Sequence, residues 1–175
     1  MALGTFISGR YSATYAGPSG TPAAADVGLT KNGYSLEVSW SKKLINESDA
    51  YGESAIDGIH RGGNCFLQFD SLEYKAGSLN AAFPYGAVLA PTGAGALGPG
   101  VIGRLDSAVA GTMVLTATAS TPAASTPATL TTAAAVIAEN FPVKLLFDTS
   151  LREVPLRMRL YLYDSAGTKQ WFATT

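Results

Sequence analysis

Residues 34–44 read YSLEVSWSKKL, and their character alternates along the whole run. Tyr34, Leu36, Val38, Trp40 and Leu44 take the even positions, with Lys42 alone out of pattern, while Ser35, Glu37, Ser39, Ser41 and Lys43 take the odd ones. A period of two sends successive side chains to opposite faces of an extended chain. An ordinary strand lasts about five or six residues. This run therefore predicts an unusually long strand, with one face on a core and the other toward solvent or a lumen.

A second such run lies near the C-terminus. In EVPLRMRLYLY (153–163), Val154, Leu156, Met158, Leu160 and Leu162 share one parity, and Pro155, Arg157, Arg159, Tyr161 and Tyr163 the other. DSAG (164–167) follows as a turn and KQWFA (169–173) as the return of a hairpin. PVKLLF (142–147) has the look of a buried run. Upstream, Tyr11, Ala13 and Tyr15 alternate with Ser12 and Thr14 in a short first strand, and the Gly/Pro/Ala-rich 17–28 reads as a loop.

Between the long runs, NESDAYG (46–52) is a polar loop and 53–61 a strand. Arg61-Gly62-Gly63-Asn64 reads as a turn leading to a third strand over 64–70, and Lys31-Asn32-Gly33 as a turn before the long run. A change of parity at Leu72 and Tyr74 suggests a bulge near Ser71. EYKAGSLNAAF (73–83) is the one helix expected, with Tyr74, Leu79 and Phe83 on a face, Gly77 against it and Pro84 ending it. TMVLTATA (112–119) is a strand, and STPAASTPATLTTAAA (120–135) a low-complexity surface loop, after which Val136 and Ile137 re-enter the body. The fold class expected is mainly β: two packed antiparallel sheets, a sandwich or partial barrel, with one short flanking helix.

The 175 residues fit a single domain (1–175) with an apolar N-terminal arm (1–9) and a Gly/Ala/Pro/Thr-rich connector region (84–135). Charged residues make up only 14%, about half the usual share. A surface so thinly charged points to coverage by other copies of the same chain. A net charge of −1 without a basic run argues against tight nucleic-acid binding. The N-terminus lacks a basic region followed by a sustained apolar one, so no signal peptide is expected. No apolar run reaches the roughly 18 residues of a membrane span.

Chemistry finds little to use. One Cys and one His cannot make a zinc site. His60 has no glycine-flanked serine elbow to serve, and Cys65 lies on an apolar strand face, where a thiol is a core residue. Glu47 and Asp49 lack calcium-loop spacing. The glycines near 92–95 lack the lysine and preceding strand of a phosphate cradle. The expectation is no enzyme, no metal and no cofactor.

Four stretches together resemble the major tail tube proteins of tailed bacteriophages: DVGLTKNGYSLEVSW, INESDAYGESAIDGIHRGGNCFLQF, the FPYG at 83–86, and FPVKLLFDTSLREVPLRMRLYLYD. The matching positions are Asp49, Tyr51, Gly52, Ile56, Asp57, Ile59 and Gly62, then Leu151, Arg152, Glu153, Val154, Pro155, Arg157 and Arg159. Residues 87–135 match nothing in that pattern. The resemblance implies a structural virion protein that forms hexameric rings stacked into a hollow tube, made in the host cytoplasm and ending in the phage tail. Its partners would be itself, the terminator, tape measure and baseplate or tip proteins, and viral DNA only in passing. Under that reading Glu37 and Asp57 are the candidate lumen-facing residues. Glu47, Asp49, Tyr51 and Gly52 are the candidate contacts between subunits and rings. The alternatives are another ring-forming tail component, such as a terminator or an injection-system tube, and a soluble β-sandwich that binds a ligand.

Overall fold

The structure is a computed structural model and describes residues 11–20, 22–45, 57–85, 102–118, 128–145 and 153–174. The arm at 1–9, the loop at 46–52 with Glu47, Asp49, Tyr51 and Gly52, and all of 86–101 lie outside them.

Among the described residues the fold is mainly β, with two antiparallel sheets and one short helix. The large sheet contains β1 (Tyr11–Ala16), β2 (Ala25–Asp26), β3 (Thr30–Ile45), β4 (Asp57–Ser71), β5 (Gly111–Ala117), β6 (Thr129–Ile137) and β7 (Val154–Leu160) in the spatial order β2-β1-β5-β6-β7-β4-β3. The C-terminal β10 (Ala173–Thr174) pairs with β6 off that path, and β8 (Tyr163–Ser165) with β9 (Thr168–Gln170) makes the second sheet. Helix α1 (Ala76–Ala82) packs beside β1 and β2.

The sheet curls until its ends meet. At 25–27 the chain pairs with β1, Val27 N–H donating to the Ala13 carbonyl at 2.9 Å. Two residues later it pairs with the end of β4, where Leu72 N–H donates to Leu29 O at 2.8 Å. One continuous segment thus belongs to both edges, which closes a partial barrel at this corner and removes the exposed edges there. Ser71 locks the corner: its buried hydroxyl donates to Val27 O at 3.3 Å or to Glu73 O at 2.9 Å.

Alternation builds the core. Cys65, Leu67 and Phe69 of β4, Val154, Leu156, Met158 and Leu160 of β7, and Met113 and Leu115 of β5 all point inward, with Tyr15 and Ala81 completing the cluster. Burial pushes the Cys65 thiol up to about 11, which suits a packing residue and not a nucleophile.

Several expectations change. No turn separates two strands at 61–64; β4 runs unbroken through it. A bulge leaves Arg61 without a cross-strand partner, since Ser41 pairs with Gly62 and Lys42 with His60. Gly62 takes φ 107, a conformation that glycine allows without a Cβ penalty. The expected turn at 31–33 is likewise an irregularity inside β3, between the pairs Thr30–Ser71 and Tyr34–Phe69, with Gly33 at φ 76. The strand ends at Ser71, so the parity change at Leu72 marks its end and not a bulge.

The low-complexity stretch at 120–135 is not loop throughout, because residues 129–135 form most of β6, pairing with β5 and β7. Small Ala and Thr side chains let β6 sit under closely packed neighbours, with Ala135 and Val136 fully buried. Finally, 142–145 joins no ladder among the described residues; Val143 and Leu145 lean on the core while Pro142 and Lys144 face out.

Candidate functional site

The long β3–β4 ladder is the feature that departs from a plain closed domain. β7 covers β4 only from Cys65 to Ser71. Beyond that point β3 and β4 continue as two strands, down to the pair Ile45–Asp57. At about 3.3 Å per residue the six residues from Trp40 to Ile45 reach ~20 Å past the body.

This arm carries apolar side chains in the open. Trp40 is 60% exposed, Leu44 58% and Ile59 54%. Trp40 and Leu44 continue the core-facing side of β3; Ile59 and Ile45 lie on the opposite side, where Ile59 pairs with Lys43. At the root of the arm Trp40 rests against Trp171 (centroids 5.4 Å) and meets His60 edge-on at 5.3 Å. Gly63 makes that junction possible. A methyl group there would lie 3.3 Å from Trp171 Cη2 and clash with the Ser39 carbonyl.

The outward face of β3, β4 and β7 holds the first lumen candidate. Glu37 Oε2 accepts from Gln68 Nε2 at 2.7 Å and from Arg157 Nη2 at 3.1 Å. Arg157 stacks 4.0 Å above the Phe66 ring, with the Arg159 guanidinium 5.0 Å from the same ring. Arg159 donates from Nε to Glu139 Oε2 at 2.9 Å, from Nη2 to Glu139 Oε1, and from Nη1 to Asn64 Oδ1 at 3.0 Å. That contact holds the Glu139 carboxyl below its usual range. Further along, Lys31 pairs with Glu153 at 2.7 Å.

Asp57, the second lumen candidate, closes the ladder opposite Ile45 and accepts from Gly58 N–H at 2.7 Å. By register Glu37, Ser39, Ser41, Lys43 and Ile45 share one side of β3, so Glu37 and Asp57 lie on the same face, both exposed. The contact candidates Glu47, Asp49, Tyr51 and Gly52 fall outside the described residues.

Two arrangements were not foreseen from the sequence. The first is the set of arginine–carboxylate pairs. Glu37 and Arg157 lie 120 residues apart, and only the strand order brings them together. The second is Asp106, in a 3-10 turn at Asp106–Ala108, whose two carboxylate oxygens accept from the Tyr85 and Tyr161 hydroxyls. Tyr85 sits in the FPYG segment, but nothing in that motif names its partner.

Where β1 and β3 splay apart below the closed corner, a cleft of about 940 Å³ opens, lined in part by Tyr11, Asp26, Tyr34, Glu73 and Lys75. Its charges serve one another: Lys75 Nζ lies 2.9 Å from Asp26 and 3.6 Å from Glu73. Among the described residues no group of three or more His, Cys, Asp or Glu is placed to hold a metal ion. No helix among them is long and apolar enough to cross a membrane.

No family model matches the chain, and no curated protein matches it. Among solved structures it is similar to a chain of the cryo-EM structure of the anti-feeding prophage (AFP) baseplate, 6-fold symmetrised. The identity is 13% and the TM-score 0.47, over 100% of this chain and 97% of that chain. A likeness of this order leaves function to the residues.

Proposed function

We propose that this chain is a structural component of a phage-type tail, and more finely that copies of it form hexameric rings stacked into the hollow tail tube. It does no catalysis. Its partners are further copies of itself and the other tail proteins, and DNA passes through the lumen without being retained. Its destination is the virion.

The observation that carries this reading is the β3–β4 arm. An isolated two-stranded ladder is marginal in water, and this one shows apolar side chains on both sides. The free edge of β3 along the arm presents backbone donors and acceptors that another strand can use. A neighbouring copy meets both needs, and a face repeated around a ring extends the sheet from subunit to subunit. The resemblance of 46–62 and 151–159 to tail tube sequences supports the same assignment, because β3, β4 and β7 are the strands it covers. The charges of the cleft between β1 and β3 pair with one another, which weakens the ligand-binding alternative, although the buried Tyr34 hydroxyl that lines the cleft finds no hydrogen-bond partner among the described residues.

Negative-stain electron microscopy of the purified protein tests the proposal. Stacked rings or hollow tubes are the expected result. Single unstacked rings would favour a terminator-like component instead. A monodisperse monomer at high concentration, with and without isolated tail tips as initiators, would overturn self-assembly.

A further inference from the structure

The arm and the cleft lie at opposite ends of one strand. β3 runs for 16 residues, ~50 Å at the usual rise. Thr30 and Tyr34 line the cleft at its start, and Leu44 and Ile45 end the arm. The two places also differ in charge. On the arm Lys42, Lys43 and Arg61 are all exposed, and none of them has an ion pair among the described residues. Lys42 stands opposite His60 and Lys43 opposite Ile59, so consecutive positions put cations on both sides of the arm.

Around the cleft acids prevail. Lys75 is shared between Asp26 at 2.9 Å and Glu73 at 3.6 Å, one ammonium for two carboxylates. Lys31, on the same lining, pairs with Glu153 at 2.7 Å and lies in the field of Asp70 as well. Each lysine is thus outnumbered. The Tyr34 ring packs on Phe69 with centroids 5.1 Å apart, and its buried hydroxyl has no hydrogen-bond partner among the described residues. An unmade buried hydrogen bond is costly, and an incoming ammonium or guanidinium can donate to that oxygen. Exposed Leu29 adds an apolar contact to the lining.

We propose that the arm of one copy docks in the β1–β3 cleft of the next, bringing Lys42, Lys43 and Arg61 to Asp26, Glu73 and the Tyr34 hydroxyl. The partner is a second copy because both halves of the contact stand on this chain and their charges are complementary. Donor and acceptor are different patches, so the contact is heterologous and repeats head to tail without closing. At about 940 Å³ the cleft is near the upper end of ordinary ligand pockets, with room for the side chains of a strand end. The inference rests on the self-assembly reading and gives its stacking step a named donor and acceptor.

Sedimentation velocity and electron microscopy of mixed variants test it. K42Q/K43Q weakens the arm and leaves the cleft intact. D26N/E73Q weakens the cleft, leaves the arm intact and keeps the acceptors for Gly28 and Leu29 N–H. Each variant alone should associate head to tail at least about tenfold more weakly than wild type at ~50 mM salt, and the wild type should itself weaken as salt rises. In the mixture the arm of D26N/E73Q still meets the cleft of K42Q/K43Q. The expected product is a pair that does not grow, of monomers or of rings. K144Q/K169Q, an equal charge change at exposed lysines off the arm, should associate as wild type does. If D26N/E73Q folds poorly by circular dichroism, Tyr34→Phe takes its place and should weaken association about threefold. A wild type without head-to-tail association, K42Q/K43Q that associates undiminished, or a mixture no better associated than its components overturns the proposal. Pairs or filaments without rings keep this contact and remove the hexameric tube. Normal tubes from both variants keep the tube and remove the contact.

Discussion

Gly77 in α1 lies so close to the backbone of Asp26 in β2 that a methyl group on it would sit 2.6 Å from the Asp26 carbonyl oxygen. The glycine that weakens the helix by propensity is what lets the helix dock against the closed corner. Gly77→Ala should therefore destabilise, by about 1–3 kcal/mol, as overpacking against immovable backbone does. Gly58→Ala, on the arm, meets Leu44 Cδ2 at 3.6 Å and the Lys43 carbonyl oxygen at 3.9 Å, both ordinary contacts, and should change stability by no more than about 0.5 kcal/mol. Urea unfolding of the two variants compares them directly, and equal effects would contradict the packing described.

Asp106 joins three separate segments through Tyr85 and Tyr161. Asp106→Ala leaves the half-buried Tyr85 hydroxyl without its acceptor, at a cost of about 1–3 kcal/mol. Tyr85→Phe should remove most of that penalty from the Asp106→Ala background. A double-mutant cycle in denaturant should give a coupling of about 1 kcal/mol, and additive effects would mean that the contact contributes nothing.

Strands β1, β3, β5 and β7 are legible in the sequence because each keeps its alternation over a half-buried face. Helix α1 is legible from the pair of Leu79 and Pro84. Other features depend on partners distant in the chain. The 129–135 stretch reads as low complexity because β6 is packed from both sides, where small Ala and Thr are needed and alternation disappears. Gly62 and Gly63 read as a turn, yet one accommodates a bulge and the other makes room for Trp171. For the candidate site, the common parity of Glu37 with its strand is visible at once. Its pairing with Arg157 requires knowing that β4 lies between β3 and β7.

Alkaline titration should expose the buried phenols. Burial pushes Tyr15 up to about 12, and Tyr34 likewise to about 12. In the unfolded chain both ionise near the ordinary value of about 10. Between those values the folded state holds protons that the unfolded state has released, so stability is full below about pH 10 and falls as pH rises toward 12. Among the described residues the Tyr15 hydroxyl finds no hydrogen-bond partner. Tyr15→Phe should thus cost little at neutral pH and flatten the alkaline loss. Thermal melts from pH 8 to 11 would show it, and a steeper loss in the variant would refute the assignment.

Ile59 separates folding from assembly. It lies on the open arm, opposite Lys43, so Ile59→Glu removes no core contact and gains a cross-strand partner of opposite charge. Monomer stability should stay within about 0.5 kcal/mol of wild type, whereas Leu67→Ala, in the core, should cost about 2–5 kcal/mol. The same glutamate placed in a subunit interface must be stripped of water among apolar neighbours, which is costly for an unpaired charge. Sedimentation velocity and electron microscopy of Ile59→Glu should accordingly show a folded monomer that forms neither rings nor tubes. Tubes of normal appearance from this variant would mean that the arm faces solvent in the assembled state, and the proposed interface would have to lie elsewhere on the sheet.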